Sequence, residues 1–174
     1  MKRSLFAALM LLACVLGRPA HVAAQTTPID FNDHIASITD SLYAMGKQWG
    51  DKFGEAYKTK NFGSLSPSRK ALEKFIDARI AEVKNMKDVK NSKNLRMAMI
   101  SFLTFEKSMA MTSFRDIELL KSTATDDEVQ AKLAVLTTQS KTEAEELAKV
   151  SAAQQVYAKE NGFSIETAKT EGKN

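Results

Sequence analysis

Glu106 is the residue whose type and position could most directly carry chemistry. It lies within residues 95–120, the most apolar stretch outside the N-terminus, near the middle of the apolar face that this stretch would form as a helix. A carboxylate there must be paired, hydrogen-bonded or protonated, because burial of an isolated charge is costly. Glu106 is therefore either a ligand or proton-active group of the core, or a structural residue that pairs with a basic side chain of the next helix or turns toward solvent.

His34 is the residue that could hold a haem iron or a metal ion. It is the only histidine that follows the N-terminal leader described below. Di-iron bundles use two Glu-x-x-His turns, catalytic zinc takes more than one histidine, and c-type haem needs a Cys-x-x-Cys-His motif that the chain lacks. A bundle that carries haem or metal through His34, Glu106 or a core methionine is the alternative function.

The other reactive residue types form no recognisable site. Met97 and Met99, like Met109 and Met111, are two positions apart, so helical geometry turns their sulfur atoms away from a common copper ion. The sequence has no glycine-rich phosphate loop, no Gly-x-Ser-x-Gly elbow and no His-Glu-x-x-His motif. It therefore predicts no enzyme, no catalytic residue, no cofactor-binding residue and no metal ligand.

Three glycines recur at intervals of four residues within the first predicted helix: Gly46, Gly50 and Gly54. Each glycine costs about 0.5–1 kcal/mol relative to alanine inside a helix, so a ridge of three needs a reason. Small residues at this spacing allow two helices to approach closely. One interpretation is close packing on the level of Ala131 and Ala134 in the fourth helix. The other is a groove for a partner helix, or a homodimer contact.

Four amphipathic helices position these residues. The first begins at Thr27-Pro28 and carries a coiled-coil-like apolar seam, and the second begins at Ser66-Pro67 with charged residues such as Arg69 on its expected solvated face. The third covers residues 95–120. The fourth begins at the capping box that starts with Thr125 and ends at Asn161-Gly162. The sequence predicts an all-α, antiparallel up-down-up-down four-helix bundle with a long C-terminal helix.

The N-terminus has the features of a secretory signal: two basic residues, an apolar run and a small-residue cleavage site after Ala24. The rival interpretation is a lipoprotein signal with a lipidated Cys14. The predicted domains are a signal peptide at 1–24, the bundle at 25–163 and a polar, flexible tail at 164–174.

Removal of the leader changes the charge and the cysteine content. Loss of Lys2, Arg3 and Arg18 lowers the formal net charge from +4 to about +1, and loss of Cys14 removes the single cysteine. Nucleic acid is not an expected partner, because a nearly neutral chain offers no broad basic surface for phosphates. Disulfides and thiolate metal sites are excluded from the mature chain.

Three segments carry a family resemblance: Phe31–Ile35, Val83–Met86, and Leu95–Phe114 with phenylalanines at 102 and 105. In these segments the chain resembles an uncharacterised family of exported bacterial surface proteins, over most of its mature length. The resemblance implies a helical protein of the cell envelope whose activity is unknown, and it transfers no catalytic residue.

These observations predict an exported protein with a non-enzymatic binding or structural role in the periplasm or at the cell surface. It would act through protein contacts on the glycine ridge or the end of the fourth helix. The expected partner is another envelope protein or a second copy of the chain, which would form a homodimer through Gly46, Gly50 and Gly54. No transmembrane helix is expected in the mature chain.

Overall fold

A computed structural model describes residues 26–165, and these residues form helices and turns without a β-strand. The predicted signal peptide with Cys14, and all but the first two residues of the predicted tail, lie outside this range. The helices are α1 (Pro28–Thr59), a 3₁₀ turn (Phe62–Leu65), α2 (Ser66–Asn85), α3 (Lys93–Met109), a π turn (Ala110–Phe114), α4 (Arg115–Glu118) and α5 (Asp126–Asn161).

Local sequence signals define the ends of the two long helices. Thr27 and Thr125 are N-caps in complete capping boxes. Each threonine hydroxyl accepts a hydrogen bond from the backbone N–H of the third helical residue, and the acidic side chain of that residue, Asp30 or Glu128, accepts one from the backbone N–H of the threonine. Helix α5 ends where Gly162 adopts φ 73°, a left-handed conformation that favours glycine. Both starts and the stop at Asn161-Gly162 are confirmed.

The apolar seam of α1 forms one wall of the core. Helix α3 packs against α2 and α5, and α1 packs against α2 and contacts α5. The largest side chains that these helices bury completely are Phe31, Ile35 and Ile38 of α1, Ile76 and Val83 of α2, Leu95, Met99 and Leu103 of α3, and Tyr157 of α5. Among residues 26–165, none of the helices combines the length and apolar character needed to cross a bilayer.

The predicted third helix is not continuous α-helix. Its α-helical geometry stops at Met109, a π turn follows over Ala110–Phe114, and α4 completes it. Within the turn, the Ser113 hydroxyl is hydrogen-bonded to Gln139 of α5. A π turn widens the helix locally and changes the direction of the side chains that follow.

Arg69 corrects the expectation of a solvated charged face on α2. Its side chain is buried, with 7% of the residue exposed. Its Nη1 donates to Glu73 Oε1 at 2.6 Å, and its Nε and Nη2 donate to Glu118 of α4. The hydrogen bonds from Nε and Nη2, and then the charge of the guanidinium group, lower the pKa of Glu118 below its usual range. The charged group joins α2 to α4 instead of facing water.

Candidate functional site: a cleft over a buried carboxyl pair

A cleft of about 460 Å³ opens between the middle parts of α1 and α5, above α3. Its volume lies within the range of small-molecule sites, and apolar side chains form most of its lining. Helix α1 contributes Leu42, Tyr43, Gly46, Trp49 and Gly50; α3 and the π turn contribute Phe102, Glu106, Met109 and Phe114; α5 contributes Leu136, Ser140, Glu143 and Leu147.

The glycine ridge opens this cleft on the α1 side. A Cβ atom added at Gly46, Gly50 or Gly54 would meet no atom within 4 Å, leaving aside the helix's own backbone nearby. The prediction that the ridge packs against the level of Ala131 and Ala134 is therefore wrong, and both alanines are exposed. Gly46 and Gly50 line the cleft, whereas Gly54 does not. Two of the three glycines thus leave space that larger side chains would fill.

Helix α5 does not close the side of the cleft opposite α1. Its buried residues are Val129 near its start and Val150, Tyr157 and Ala158 in its last third. Between positions 129 and 150 its side chains are half-buried or exposed. The helix is therefore fixed at both ends and does not fill the space facing the middle of α1.

An aromatic stack forms another part of the lining. The rings of Trp49 and Phe114 lie with centroids 4.0 Å apart and an angle of 9° between planes, and Phe53 stacks on the Trp49 indole with centroids 5.8 Å apart. The π turn positions Phe114, its last residue, for this contact. The indole Nε1 of Trp49 is buried and donates to no described group.

Glu106 is buried at the cleft, with 4% of the residue exposed, and its Oε1 has no conventional hydrogen-bond donor among the described groups. Its neighbour is Glu143 of α5, whose carboxyl group is within hydrogen-bonding reach. Burial first, and then the charge and hydrogen bond of Glu143, raise the pKa of Glu106 to about 8. Burial also raises the pKa of Glu143. Two carboxyl groups in such contact hold a proton between them near neutral pH.

No cationic side chain of the described residues forms an ion pair with this carboxyl pair. Lys47 is the cation at the cleft, and its Nζ lies 3.1 Å from Asp51 Oδ2 on the solvent side of α1. Leu72 is the residue that α2 contributes to the lining, and it is apolar. The pair is therefore compensated by a proton and not by a protein cation.

Glu106 was recognisable from the sequence, but its environment was not. Glu106 neither pairs with a basic side chain nor turns toward solvent, the two structural outcomes that were expected. It is buried, and the carboxyl group of Glu143 faces it. The available signal was Glu143, which interrupts the apolar seam of the fourth predicted helix. Two carboxylates on the inward faces of adjacent helices indicate a shared site.

The remaining candidates lie apart from the cleft. His34 Nε2 is 2.8 Å from Glu82 Oε1 of α2, and His34 does not line the cleft. Met99 is buried in the core, whereas Met97 is exposed. Within the range 26–165, no cluster of three or more His, Cys, Asp or Glu side chains has the arrangement to hold a metal ion.

Among the described residues, the cleft presents a carboxyl pair that can give or take a proton, and the Ser140 hydroxyl in its lining donates to the Thr137 carbonyl and not to a base. Its chemistry is that of an apolar site with one polar anchoring point. In comparisons with known proteins, no family model, no curated protein and no solved structure matches the chain.

Proposed function

We propose that the chain is a non-enzymatic binding protein of the bacterial cell envelope, and that the cleft over Glu106 receives a small, largely apolar ligand. The observation that carries the proposal is an open, largely apolar cleft whose lining holds a buried carboxyl pair without a protein cation. Buried carboxylates are normally paired with a cation, because an unpaired buried charge lowers stability.

The proposal includes the export of the chain and the arrangement of its helices. The leader-like residues 1–24 support export to the envelope. An up-down-up-down bundle is supported by contacts that join opposite ends of α1 and α5. Phe31 packs edge-on against Tyr157 at 5.8 Å, and Lys60 Nζ bonds Asp126 Oδ1 at 2.7 Å.

Substitutions on the glycine ridge test the binding site. Leucine at Gly46 or Gly50 would fill the cleft without meeting an atom at its Cβ, so the variant should fold. The probe is the neutral apolar dye N-phenylnaphthylamine, whose binding is followed by its fluorescence and by the emission of Trp49, the only tryptophan. We expect Gly50→Leu to weaken dye binding by about tenfold or more, a loss of about 1.4 kcal/mol.

Gly54→Leu is the matched control, because Gly54 has the same open surroundings on the same ridge but lies outside the cleft. It should bind the dye like the unmodified protein. Equal dye affinities in Gly50→Leu, Gly54→Leu and the unmodified protein, with circular dichroism showing all three folded, would refute the cleft as the binding site.

A role through protein contacts is the second candidate, favoured by exposed apolar side chains beside the cleft. Tyr43 is 76% exposed, and Leu147 of α5 is also exposed. A homodimer through the whole ridge would be disrupted by Gly54→Leu as well as by Gly50→Leu, as measured by sedimentation equilibrium. A ligand site would respond to Gly50→Leu alone. His34, on which the alternative of haem or metal binding depends, lies outside the cleft, with its Nε2 2.8 Å from Glu82 Oε1.

A further inference from the structure

We infer that the cleft selects ligands with a protonated amine, and that the ammonium group of an otherwise apolar molecule binds between the carboxyl groups of Glu106 and Glu143. The inference rests on the proposed function, because it assigns a ligand class to the same cleft. It concerns the lining of the cleft and not its volume.

The first step is the imbalance of charge at the cleft. Two carboxyl groups meet there on α3 and α5, and the titratable groups that α1 adds to the lining are Tyr43 and Lys47. Lys47 forms an exposed ion pair with Asp51 on the solvent side of α1, and α2 adds an apolar residue. The pair consequently lacks the basic partner that buried carboxylates normally have.

The second step is the orphaned hydrogen-bonding capacity. Oε1 of Glu106 is inaccessible to solvent and has no conventional donor, and no described hydrogen bond engages the carboxyl group of Glu143 outside the pair. An ammonium group has three N–H donors and one positive charge. It would donate to both carboxyl groups and replace the proton between them, so that the pair becomes two carboxylates around one cation.

The third step is the shape of the lining beyond the pair. Phe102, Met109, Leu136 and Leu147 surround the two carboxyl groups with apolar surface, which suits a hydrocarbon chain or an aromatic body. An anion is disfavoured by the negative charge of the pair, and a small polar cation would leave the apolar walls unfilled. The complementary molecule is an amphiphile with a basic head.

The test compares three molecules that share one hydrocarbon chain: octylamine, octanol and octanoate. Dissociation constants are measured at pH 7, below the micelle-forming concentrations, from the emission of Trp49 in the cleft. We expect octylamine to bind at least about tenfold more tightly than octanol, the range typical of a hydrogen bond to a charged group, and octanoate to bind most weakly.

Variants of the pair then assign the selectivity. The ratio of octanol to octylamine dissociation constants should fall toward one in the double variant Glu106→Gln with Glu143→Gln. It should be unchanged in Glu145→Gln, an exposed glutamate on the same helix as Glu143. Because each ratio is measured within one variant, partial unfolding affects both constants alike.

The outcomes separate the two proposals. Equal affinity for octylamine and octanol, or a preference that survives in the double variant, would overturn the inference while leaving the cleft as a ligand site. Failure of all three molecules and of the apolar dye to bind would overturn the proposed function together with the inference.

Discussion

The substitution Glu106→Gln should stabilise the protein at alkaline pH and leave it unchanged at acidic pH. Glutamine keeps the size and hydrogen-bonding capacity of a protonated carboxyl group, but it cannot ionise. In the folded protein the pKa of Glu106 is raised to about 8, from an ordinary value of 4.5. Between these two pH values the folded state binds more protons than the unfolded state, so rising pH lowers the free energy of unfolding.

The two pKa values give the magnitude. Their separation of about 3.5, at about 1.4 kcal/mol for each pKa unit, sets a ceiling of about 5 kcal/mol on the loss of stability between pH 4.5 and pH 8. Ionisation shared with Glu143 and entry of water into the cleft reduce this value. We expect Glu106→Gln to be more stable than the unmodified protein by about 2–4 kcal/mol at pH 9, and to differ from it by less than about 1 kcal/mol at pH 5.

The assay is urea unfolding followed by far-ultraviolet circular dichroism at intervals from pH 5 to pH 9. The informative quantity is the difference in unfolding free energy between Glu106→Gln and the unmodified protein, in which the contributions of titrating groups other than Glu143 cancel. Glu145→Gln is the control, because its side chain is exposed, and its difference curve should be flat. A flat curve for Glu106→Gln as well would refute the burial of an ionisable carboxyl pair.

Three further outcomes follow from the same contacts. Arg69→Met should lower the free energy of unfolding, measured in urea, by about 3 kcal/mol, because Glu118 loses its buried partner. The control Lys70→Met, on the exposed side of the same helix, should change the free energy of unfolding by less than about 0.5 kcal/mol. Gly54→Ala should raise the thermal midpoint, by about 1 kcal/mol in stability, because its Cβ meets no atom within 4 Å; a lowered midpoint would show that the ridge is packed. The affinity for octylamine should rise by up to tenfold per pH unit from pH 6 toward pH 8, since the proton on Glu106 is released to solvent when the ammonium group binds. A dissociation constant for octylamine that does not change with pH would contradict this exchange of a proton for the ammonium group.

The helices and their ends were predictable because their signals are local. Thr27 and Thr125 each start a capping box within four residues, and Gly162 supplies a left-handed stop, so that neighbouring residues alone determine these boundaries. The apolar face of residues 95–120 likewise predicted the burial of Leu95, Met99 and Leu103. The prediction that the α-helix continues past Met109 was wrong. The π turn there makes contacts with α1 and α5, and the periodicity of the sequence carries no information about contacts between helices.

The cleft could be predicted only in part. Gly46 and Gly50 were unusual enough in a helix to require an explanation, but their spacing fits close packing and open space equally well. Whether the glycines are closely packed or border open space depends on the distance of α5 from α1, and residues at the two ends of α5 set that distance. Arg69 was misread for a similar reason: its partner Glu118 is remote in sequence, and an arginine with such a partner looks like a surface residue until the fold brings the two together.

The π turn also makes two distant contacts depend on a single residue of chain length. A π turn has the geometry of an α-helix with one residue inserted, and it rotates everything after it by about 100° relative to the original register. Deletion of one residue within Ala110–Phe114 would restore an ordinary helix, and would carry Phe114 away from Trp49 and Glu118 away from Arg69. The one extra residue of the turn therefore controls two separate contacts. A variant from which it is deleted should lose the Trp49–Phe114 stack and the Arg69–Glu118 ion pair together.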